Sequence, residues 1–504
     1  MFVRIKSAAL QGITAFEIIV EVDAHKGMPG ETIVGLPDAV IKESRNRIKA
    51  AIKNSGFEFT LNSYTINLAP AELRKEGPLL DLAIAVGVLQ ATKQITIDQE
   101  SMFVGELSLS GEIKPIRGIV SICDLVKEKK IKRIFIPFEN YSEAALIKGI
   151  EIIPVKRLEN ICEHYANNYE FKPFKITKKS EPYSQIDFNE VKGQLTAKRA
   201  LEIAAAGNHN ILFIGPPGSG KTMLLKRLPT ILPDMTEKQA IETYKIQSIT
   251  QSSSPSANFF NMQRPFRSPH HTISYAGMVG GGQNPRPGEI SLAHNGVLFL
   301  DELPEFNRNV IEVLRQPLED GRITISRANF IIEYPCNFIL ASSMNPCKCG
   351  HKNDPHIKCT CHKKYIRRYW SKISGPILDR IDLIVDVPRL KRDELFSKND
   401  PKTNPYTSEK MRARIANARK EQAKRFDSPK TNSEITARDI QKHCPVIPAI
   451  QEFLGNAIDR GKLTGRSFDK VLKVARTIAD LEKAKDIALN HICEAMQYRR
   501  NSLE

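Results

Sequence analysis

Long apolar segments are missing from this chain of 504 residues. A membrane-spanning helix needs about 20 consecutive apolar residues, and no uninterrupted stretch of that length occurs. The amino terminus, Met1–Lys6, also lacks the apolar core of a signal peptide. These absences exclude membrane-spanning proteins from the classes to consider, and they predict a cytoplasmic location with no membrane partner.

Acidic residues are in short supply relative to basic ones. The chain has 74 Lys and Arg against 57 Asp and Glu, which gives a formal net charge of +17. An excess of this size favours a polyanionic partner, and a generally basic surface without such a partner is the alternative.

Cysteines are few, and nine of them in a cytoplasmic protein argue against a disulfide framework. Four of them form two close pairs with the spacing C-x-C, and thiolates so spaced could close a tetrahedral, structural Zn²⁺ site. A catalytic zinc is disfavoured because four thiolates leave no open position. Free thiols in a loop are the alternative. The candidate ligands are Cys347, Cys349, Cys359 and Cys361, with His351, His356 and His362 as substitutes or supporting residues.

A phosphate-binding loop follows the apolar run Asn210–Ile214. Its pattern is G-x-x-x-x-G-K-[ST], in which glycines let backbone N–H groups surround a triphosphate. Lys221 can reach the outer phosphates, and the Thr222 hydroxyl can ligate Mg²⁺. The segment therefore predicts binding of a nucleoside triphosphate through Gly215, Pro216, Pro217, Gly218, Ser219, Gly220, Lys221 and Thr222.

Two further apolar runs end in polar residues suited to hydrolysis. Gly296–Glu302 indicates a buried parallel strand whose end carries Asp301, placed to hold Mg²⁺, and Glu302, a candidate base for the attacking water. Asn337–Asn345 indicates another strand, whose terminal amide could orient that water. Hydrolysis is favoured over binding alone.

The length is too great for one hydrophobic core, so several domains are expected. Residues 1–168 mix short β-rich runs with amphipathic helices, and the Lys-rich segment 169–187 is interpreted as a linker. Residues 188–396 alternate strands and helices around the phosphate loop, which indicates an α/β nucleotide-binding domain. Residues 397–504 show helical periodicity.

Five colinear motifs resemble those of the magnesium-chelatase-like AAA+ ATPases, and the whole chain resembles the YifB/ComM subfamily. They are Gly215–Thr222, Pro287–His294, Leu298–Leu303, Met344–Cys347 and Gly375–Asp382. The resemblance implies a P-loop domain with a C-terminal helical lid, and a ring, usually a hexamer, with ATP at subunit interfaces.

The resemblance also implies roles for single residues. Asn345 stands at the sensor-one position, and Arg380 resembles an arginine finger that reaches a neighbour's γ-phosphate. An intrachain salt bridge of Arg380 with Asp379 or Asp382 is the alternative. Arg466 resembles the second sensor arginine on the lid, although Arg476 lies in the same predicted helical region.

The amino-terminal segments Ile66–Gly87, Gly105–Gly118 and Ile134–Pro137 resemble the Lon-type peptidase, an α+β fold. Such peptidases use a Ser nucleophile and a Lys base. Leu79 and Val120 stand at those two positions here. The domain is therefore predicted not to hydrolyse peptides and to serve DNA binding or ring formation.

Three segments are candidates for contact with nucleic acid. Lys363–Trp370 interleaves basic and aromatic residues, which suits phosphate contact and base stacking; a basic helix face with its aromatics packed inward is the alternative. Arg322–Ile332 predicts a hairpin with its turn near Arg327–Asn329, which in related rings points into the channel. Arg267–Thr272, followed by the glycines Gly280–Gly282, lies where those rings insert a second channel element.

The resemblance implies an ATP-dependent ring that moves along branched or single-stranded DNA, as a helicase promoting branch migration in recombination and natural transformation. A remodelling or metal-insertion ATPase acting on a protein partner, as in magnesium chelatases, is the alternative. A nucleotide-switched scaffold is disfavoured because both Glu302 and Arg380 are present.

Overall fold

The computed structural model divides into two compact units. The first comprises Met1–Lys179 and Glu237–Met262, and the second comprises Ser180–Thr236 and Gln263–Glu504. The structure describes residues 1–28, 30–60, 62–73, 75, 77–166, 169, 171, 177–179, 186–250, 259–261, 263–282, 286–327, 330–352, 354, 356–396, 400–460 and 463–499.

The chain begins in the first unit with strands and helices that alternate irregularly. The strands are Phe2–Gln11 (β1), Thr14–His25 (β2), Gly30–Val34 (β3), Ser63–Ala69 (β4), Ser101–Phe103 (β5), Glu106–Leu107 (β6), Ile113–Lys114 (β7), Arg133–Pro137 (β8), Glu151–Val155 (β9) and Thr177–Lys179 (β10). The helices are Ala39–Asn54 (α1), Asp81–Ala91 (α2), Ile119–Glu128 (α3), Tyr141–Ala144 (α4) and Glu159–Tyr165 (α5).

The chain then enters the second unit, leaves it briefly and returns. Leu195–Gly207 (α6), Ile211–Ile214 (β11), Lys221–Lys226 (α7) and Leu228–Ile231 (α8) belong to the second unit, whereas Glu237–Thr250 (α9) and Phe259–Asn261 (β12) belong to the first.

The rest of the second unit runs to the last described helix. Its strands are Phe266–Arg267 (β13), Gly280–Gly281 (β14), Arg286–Pro287 (β15), Val297–Leu300 (β16), Arg322–Arg327 (β17), Phe330–Pro335 (β18), Ile339–Met344 (β19) and Leu383–Asp386 (β20). Its helices are Tyr275–Val279 (α10), Glu289–Leu292 (α11), Arg308–Glu312 (α12), Arg315–Asp320 (α13), Lys363–Trp370 (α14), Gly375–Leu378 (α15), Arg392–Phe396 (α16), Ser408–Phe426 (α17), Ile440–His443 (α18), Pro448–Asp459 (α19), Gly465–Leu481 (α20) and Leu489–Gln497 (α21). Short 3-10 helices lie at Pro78–Leu80, Phe138–Asn140, Phe188–Glu190, Leu303–Glu305 and Asn432–Glu434.

The first unit is built on a mixed sheet with the strand order β3-β4-β2-β1-β5-β8-β9. In β2, Ile18, Val20 and Val22 are buried while the residues between them are partly exposed, so one face of the strand packs on the core. Helix α2 is apolar on every side, and all of its residues except Gln90 are buried. It lies inside the unit, against β1 and β2.

The second unit is built on a five-stranded parallel sheet with the order β13-β16-β19-β11-β20. All residues of β11, β16 and β19 are buried. Continuous apolar runs are typical of parallel strands that helices cover on both faces. Since the strands are parallel, the residues that follow β11, β16 and β19 meet at one edge, the carboxyl edge of the sheet.

The carboxyl-terminal helices share a core with this sheet. Phe213 and Val385 of the sheet belong to the same buried cluster as Met411 of α17 and Val474 of α20. Helix α20 begins after Thr464, whose hydroxyl accepts the backbone N–H of Ser467 at 3.3 Å and so caps the helix. The predicted helical character of this part of the chain is confirmed.

The predicted fold class, an α/β P-loop domain with a helical carboxyl-terminal part preceded by a Lon-like domain, is confirmed. The predicted hairpin is confirmed in its strands, since β17 and β18 pair antiparallel from Arg322 with Pro335 to Arg327 with Phe330. Its turn residues, 328 and 329, lie outside the described residues.

The predicted linker, 169–187, lies largely outside the described residues, but Thr177–Lys179 within it form a strand paired with Phe259–Asn261. In the part of the chain that the structure describes, no helix is long and apolar enough to cross a membrane.

Candidate functional site

The phosphate loop occupies the carboxyl edge of the second unit's sheet, between β11 and α7. Gly218 and Gly220 have φ values of 79° and 91°, in the left-handed region that favours glycine. Gly215 is crowded for a different reason: a Cβ there would stand 2.1 Å from the carbonyl oxygen of Val387. The backbone of the loop can take this course only with glycine at these positions.

Lys221 connects the phosphate loop to the sensor strand. Its Nζ donates to the carbonyl oxygens of Gly215 at 2.7 Å and Pro216 at 3.0 Å, and to Oδ1 of Asn345 at 3.3 Å. Burial lowers the pKa of Lys221, and the nearby carboxylates of Asp301 and Glu302 act in the opposite direction. The ammonium group of Lys221 and the side-chain amide of Asn345 therefore lie side by side.

Asp301 lies at the centre of the predicted Mg²⁺ site. Thr222 Oγ1 donates to its Oδ2 at 2.8 Å, so the two predicted Mg²⁺ ligands are in contact. The Ser343 hydroxyl donates to Oδ1, which also accepts the backbone N–H of Glu302 at 3.2 Å. Sequence reasoning missed Ser343, whose only signal was a hydroxyl close to the end of an apolar strand.

Glu302 follows Asp301 with its side chain exposed. Its φ of 52° is left-handed, which is uncommon for a residue with a Cβ. Its backbone N–H approaches both Asp301 Oδ1 and the Ser343 hydroxyl, at 3.2 and 3.4 Å, and these contacts hold the turn. The carboxylate is thereby presented to solvent beside the phosphate loop.

Arg380 and Arg466 lie at the opposite, amino edge of the sheet. Both line a cleft of about 680 Å³ together with Asn210, which directly precedes β11, and Asn337, which lies two residues before β19. Four residues of β11 separate Asn210 from the phosphate loop, which corresponds to about 13 Å of strand. The structure does not bring either arginine to the phosphate loop of its own chain.

The Arg380 guanidinium has an intrachain partner that the sequence did not indicate. It forms an ion pair with Glu319 and donates to the carbonyl oxygen of Pro376 at 2.8 Å. Neither aspartate of the alternative interpretation pairs with it, because Asp382 instead pairs with Lys470 at 2.8 Å. Asp379 lies in the same cleft.

Arg466 and Arg476 differ in how far their side chains are buried. Arg466 is exposed on the first turn of α20. Arg476 is buried, and its guanidinium donates to the carbonyl oxygens of Lys485 at 2.8 Å and Ala484 at 2.7 Å, and to Asp480. A side chain held this way supports the helical fold, so Arg466 is the better candidate for a sensor.

The four clustered thiols do come together. The Sγ atoms of Cys347, Cys349, Cys359 and Cys361 all lie within 4.8 Å of one another. A tetrahedral Zn²⁺ with Zn–S bonds of about 2.3 Å would space them by about 3.8 Å. The distances from Cys347 to Cys349 and Cys359 are 3.3 and 3.7 Å, so the donor set fits zinc.

The histidines His351 and His362, near the thiols, make other contacts. His351 contacts Asp354 at 3.3 Å. His362 caps helix α14 by accepting the backbone N–H of Lys364. Neither belongs to the thiol group, so the cluster does not need them as substitute ligands.

The candidate nucleic-acid segments are arranged in different ways. In α14 the basic residues are exposed while Tyr369 and Trp370 are buried, which matches the basic-face alternative for those two aromatics; Tyr365 remains exposed. Arg267 makes two 2.6 Å hydrogen bonds to Glu289, and these bonds hold the loop that contains Arg267 in place. The ring centroids of His270 and His271 lie 4.1 Å apart with the rings tilted by 36°, and His270 is hydrogen-bonded to the Thr272 hydroxyl.

Comparison with protein families covers most of the chain. The family described as magnesium chelatase, subunit ChlI, matches residues 187–395. Those described as subunit ChlI of Mg-chelatase and as magnesium chelatase, subunit ChlI C-terminal, match 20–140 and 405–499. The chain belongs to the magnesium-chelatase-like family of AAA+ ATPases. This magnesium-chelatase-like AAA+ protein is accordingly an ATPase, and its site is consistent with ATP and Mg²⁺.

Similar full-length relatives place it in the YifB/ComM group. The competence protein ComM of Haemophilus influenzae is 41% identical over 502 residues, which is 98% of this chain and 96% of the relative. The YifB proteins of Salmonella typhimurium and Escherichia coli, both described as uncharacterized, are 40% identical over 498 residues, again 98% of this chain and 96% of theirs.

The first unit also resembles a peptidase. Lon protease 2 of Bacillus subtilis is 32% identical over 143 residues, 27% of this chain and 25% of the relative. Leu79 and Val120, which stand at the predicted nucleophile and base positions, are both buried in one apolar cluster with Met102 and Ile134. Both positions are thus filled by packing residues of one cluster rather than by a Ser–Lys pair.

Proposed function

We propose that this AAA+ ATPase is a ring-forming DNA motor, a helicase that promotes branch migration of recombination intermediates during natural transformation. The observation that supports a ring is a separation within the subunit. The phosphate loop lies at one edge of the sheet, and Arg380 and Arg466 lie at the other. A hexamer in the cytoplasm is part of the proposal. The domains proposed are 1–168, 188–396 and 397–504, joined by the linker 169–187.

The proposed hydrolysis uses residues at the carboxyl edge. Lys221 holds the outer phosphates, and Thr222 and Asp301 hold Mg²⁺, which neutralises charge on the phosphates when bound. Glu302 accepts the proton of the attacking water, and Asn345 orients that water. Ser343 fixes the Asp301 carboxylate for its part in the site.

The arginines of the amino edge act on a neighbouring subunit. About 13 Å of strand separates Asn210 from the phosphate loop. An arginine side chain at the amino edge therefore cannot reach a nucleotide bound by the same chain. A head-to-tail ring joins two different faces of the subunit, and we propose that it sets the amino edge of one subunit against the nucleotide of the next. Arg380 and Arg466 would then stabilise charge that develops on the neighbour's γ-phosphate.

DNA is the proposed polyanion for three reasons. The formal net charge is +17, the relative from Haemophilus influenzae is a competence protein, and helix α14 exposes four basic side chains. Counterion release predicts that the binding weakens steeply with salt. Binding that is insensitive to salt would count against DNA.

We also propose that the four thiols hold a structural Zn²⁺. Zinc would fasten the polar segment that follows Asn345, a segment with few apolar residues of its own. Elemental analysis of the purified protein should find about one zinc per chain. The double variant Cys359→Ser/Cys361→Ser should contain little, whereas Cys493→Ser, at an exposed cysteine away from the cluster, should keep it. Equal zinc in all three proteins would contradict the assignment.

A remodelling or metal-insertion ATPase acting on a protein partner is the second candidate, favoured by family matches to magnesium chelatase subunits over three ranges. The ATPase rate with and without forked DNA separates the two, together with displacement of a labelled strand. The DNA motor predicts stimulation and strand displacement. No response to any DNA form would favour the protein-remodelling candidate.

A further inference from the structure

Helix α14 carries an unusual concentration of positive charge. Lys363, Lys364, Arg367 and Arg368 are all exposed, and the helix has no acidic residue. Their spacing places all four on one side of the helix. Over the described parts of the chain, none of the four has an ion-pair partner. Tyr365, which is 61% exposed, lies among them.

The opposite side of the helix rests on the sensor segment. Trp370 Nε1 donates to the carbonyl oxygen of Pro346 at 3.1 Å. Tyr369 precedes Trp370 in the same turn of the helix. Both aromatic side chains are buried. The last turn of α14 is therefore fixed to Pro346, the residue that follows Asn345.

The thiol cluster fixes the other end of the helix to the same segment. Cys361 lies two residues before the start of α14, Cys347 follows Pro346, and their Sγ atoms belong to the one cluster. Within this segment the backbone at Gly350 presses on the phosphate loop, because a Cβ there would stand 2.6 Å from Cδ of Pro217. Asn345 in turn contacts Lys221 at 3.3 Å.

We propose that α14 binds the phosphate backbone of DNA and that Trp370 transmits this contact through Pro346 to Asn345, so that bound DNA adjusts the sensor of ATP hydrolysis. The inference rests on the proposed DNA motor and adds the surface and the route of coupling. Lysines and arginines without acidic partners suit phosphates of any sequence, and an exposed tyrosine among them suits stacking on unpaired bases. Trp370 is a positioning residue, since it acts through Asn345.

The first test removes the charge from α14. The probe is a fluorescein-labelled oligothymidylate, and the variant changes Lys363, Lys364, Arg367 and Arg368 to Ser. The control removes the same charge from exposed lysines elsewhere in the unit, Lys420, Lys424, Lys430 and Lys442. The α14 variant should bind at least about tenfold more weakly, and the slope of log affinity against log salt should fall by about 3 for four lost phosphate contacts. Wild-type affinity and slope in the α14 variant would overturn the inference.

The second test separates coupling from binding. Trp370→Phe loses the indole N–H that bonds the Pro346 carbonyl oxygen but keeps an aromatic ring, so the affinity for oligothymidylate should stay within about twofold while the DNA-stimulated increase in ATPase rate falls about threefold or more. Full stimulation in this variant would overturn the coupling.

Trp370 is the single tryptophan of the chain, so its fluorescence emission reports on the contact between α14 and Pro346. Adding oligothymidylate to the wild-type protein should shift that emission, and the shift should persist in the control variant. If the wild-type protein binds no DNA, the proposed function fails as well. If it binds DNA and is stimulated while the α14 variant and Trp370→Phe behave like the wild type, only this inference fails.

Discussion

Glu319 and Arg380 form an ion pair on the wall of the cleft at the amino edge of the second unit's sheet. The carboxylate is 62% exposed, whereas the arginine side chain is 14% exposed. Such a pair adds little stability because water screens its exposed partner. It does, however, hold the guanidinium that we assign to a neighbour's γ-phosphate, so the ATP site of the next subunit competes with Glu319 for it.

Variants of the two partners should therefore behave in opposite ways. Arg380→Ala removes the finger and should lower the ATPase rate by about 10³-fold or more. Glu319→Gln removes only the competing charge, so the rate should stay at the wild-type level or rise. Steady-state ATPase assays on rings of equal size check this, and a comparable loss in both variants would show that the pair is needed intact.

Lys221 and Glu302 should separate binding from hydrolysis. Lys221→Ala removes a cation from the phosphates and should weaken ATP binding by about 10–100-fold. Glu302→Gln should retain ATP while turnover falls by about 10²–10⁴-fold, since only the proton acceptor is lost. Titration with a fluorescent ATP analogue beside an ATPase assay distinguishes the two, and equal loss of binding would refute the division of roles.

Adjacent serines of β19 provide a matched pair. Ser343 donates to Asp301, whereas Ser342 donates to the carbonyl oxygen of Ile211 at 3.3 Å. Ser343→Ala removes a hydrogen bond to a charged group, so about tenfold more Mg²⁺ should be needed for half-maximal ATPase activity. Ser342→Ala should leave that requirement unchanged. A Mg²⁺ titration checks both, and equal requirements would argue against a role for Ser343 in the metal site.

Leu79 should matter for stability and not for peptide hydrolysis. It is buried in the apolar cluster that also contains Val120. Leu79→Ala should destabilise the first unit by about 2–5 kcal/mol through the cavity it leaves. Leu109→Ala, at a side chain 60% exposed, should change stability little. Thermal unfolding measures the difference, and a casein-hydrolysis assay should detect no peptidase activity in the wild-type protein.

Sequence motifs predicted the parts of the site that directly follow buried strands. The phosphate loop, Asp301 and Asn345 each end a buried strand, and parallel strands bring those ends to one edge. Their proximity therefore followed from order along the chain. The thiol cluster followed in the same way, because close pairs of cysteines limit where the Sγ atoms can go.

Tertiary packing determined those features of the fold and the site that the motifs could not predict. Glu319 comes from α13 and meets Arg380 only through the folding of the cleft, 61 residues away along the chain. The burial of Arg476, which favours Arg466, depends on the course of the backbone at Lys485. Helix α9 joins the first unit although its sequence lies between two parts of the second, and no local pattern indicates that return.

The shared active site can be tested most directly by mixing two inactive proteins. Lys221→Ala subunits keep Arg380, and Arg380→Ala subunits keep the phosphate loop, so only adjoining pairs of the right order combine both. If mixed rings form, which copurification through a tag on one variant establishes, random mixing at equal amounts should restore up to about a quarter of the wild-type ATPase rate, because a ring interface joins two different faces. Mixed rings that remain as inactive as either variant alone would contradict catalysis between subunits.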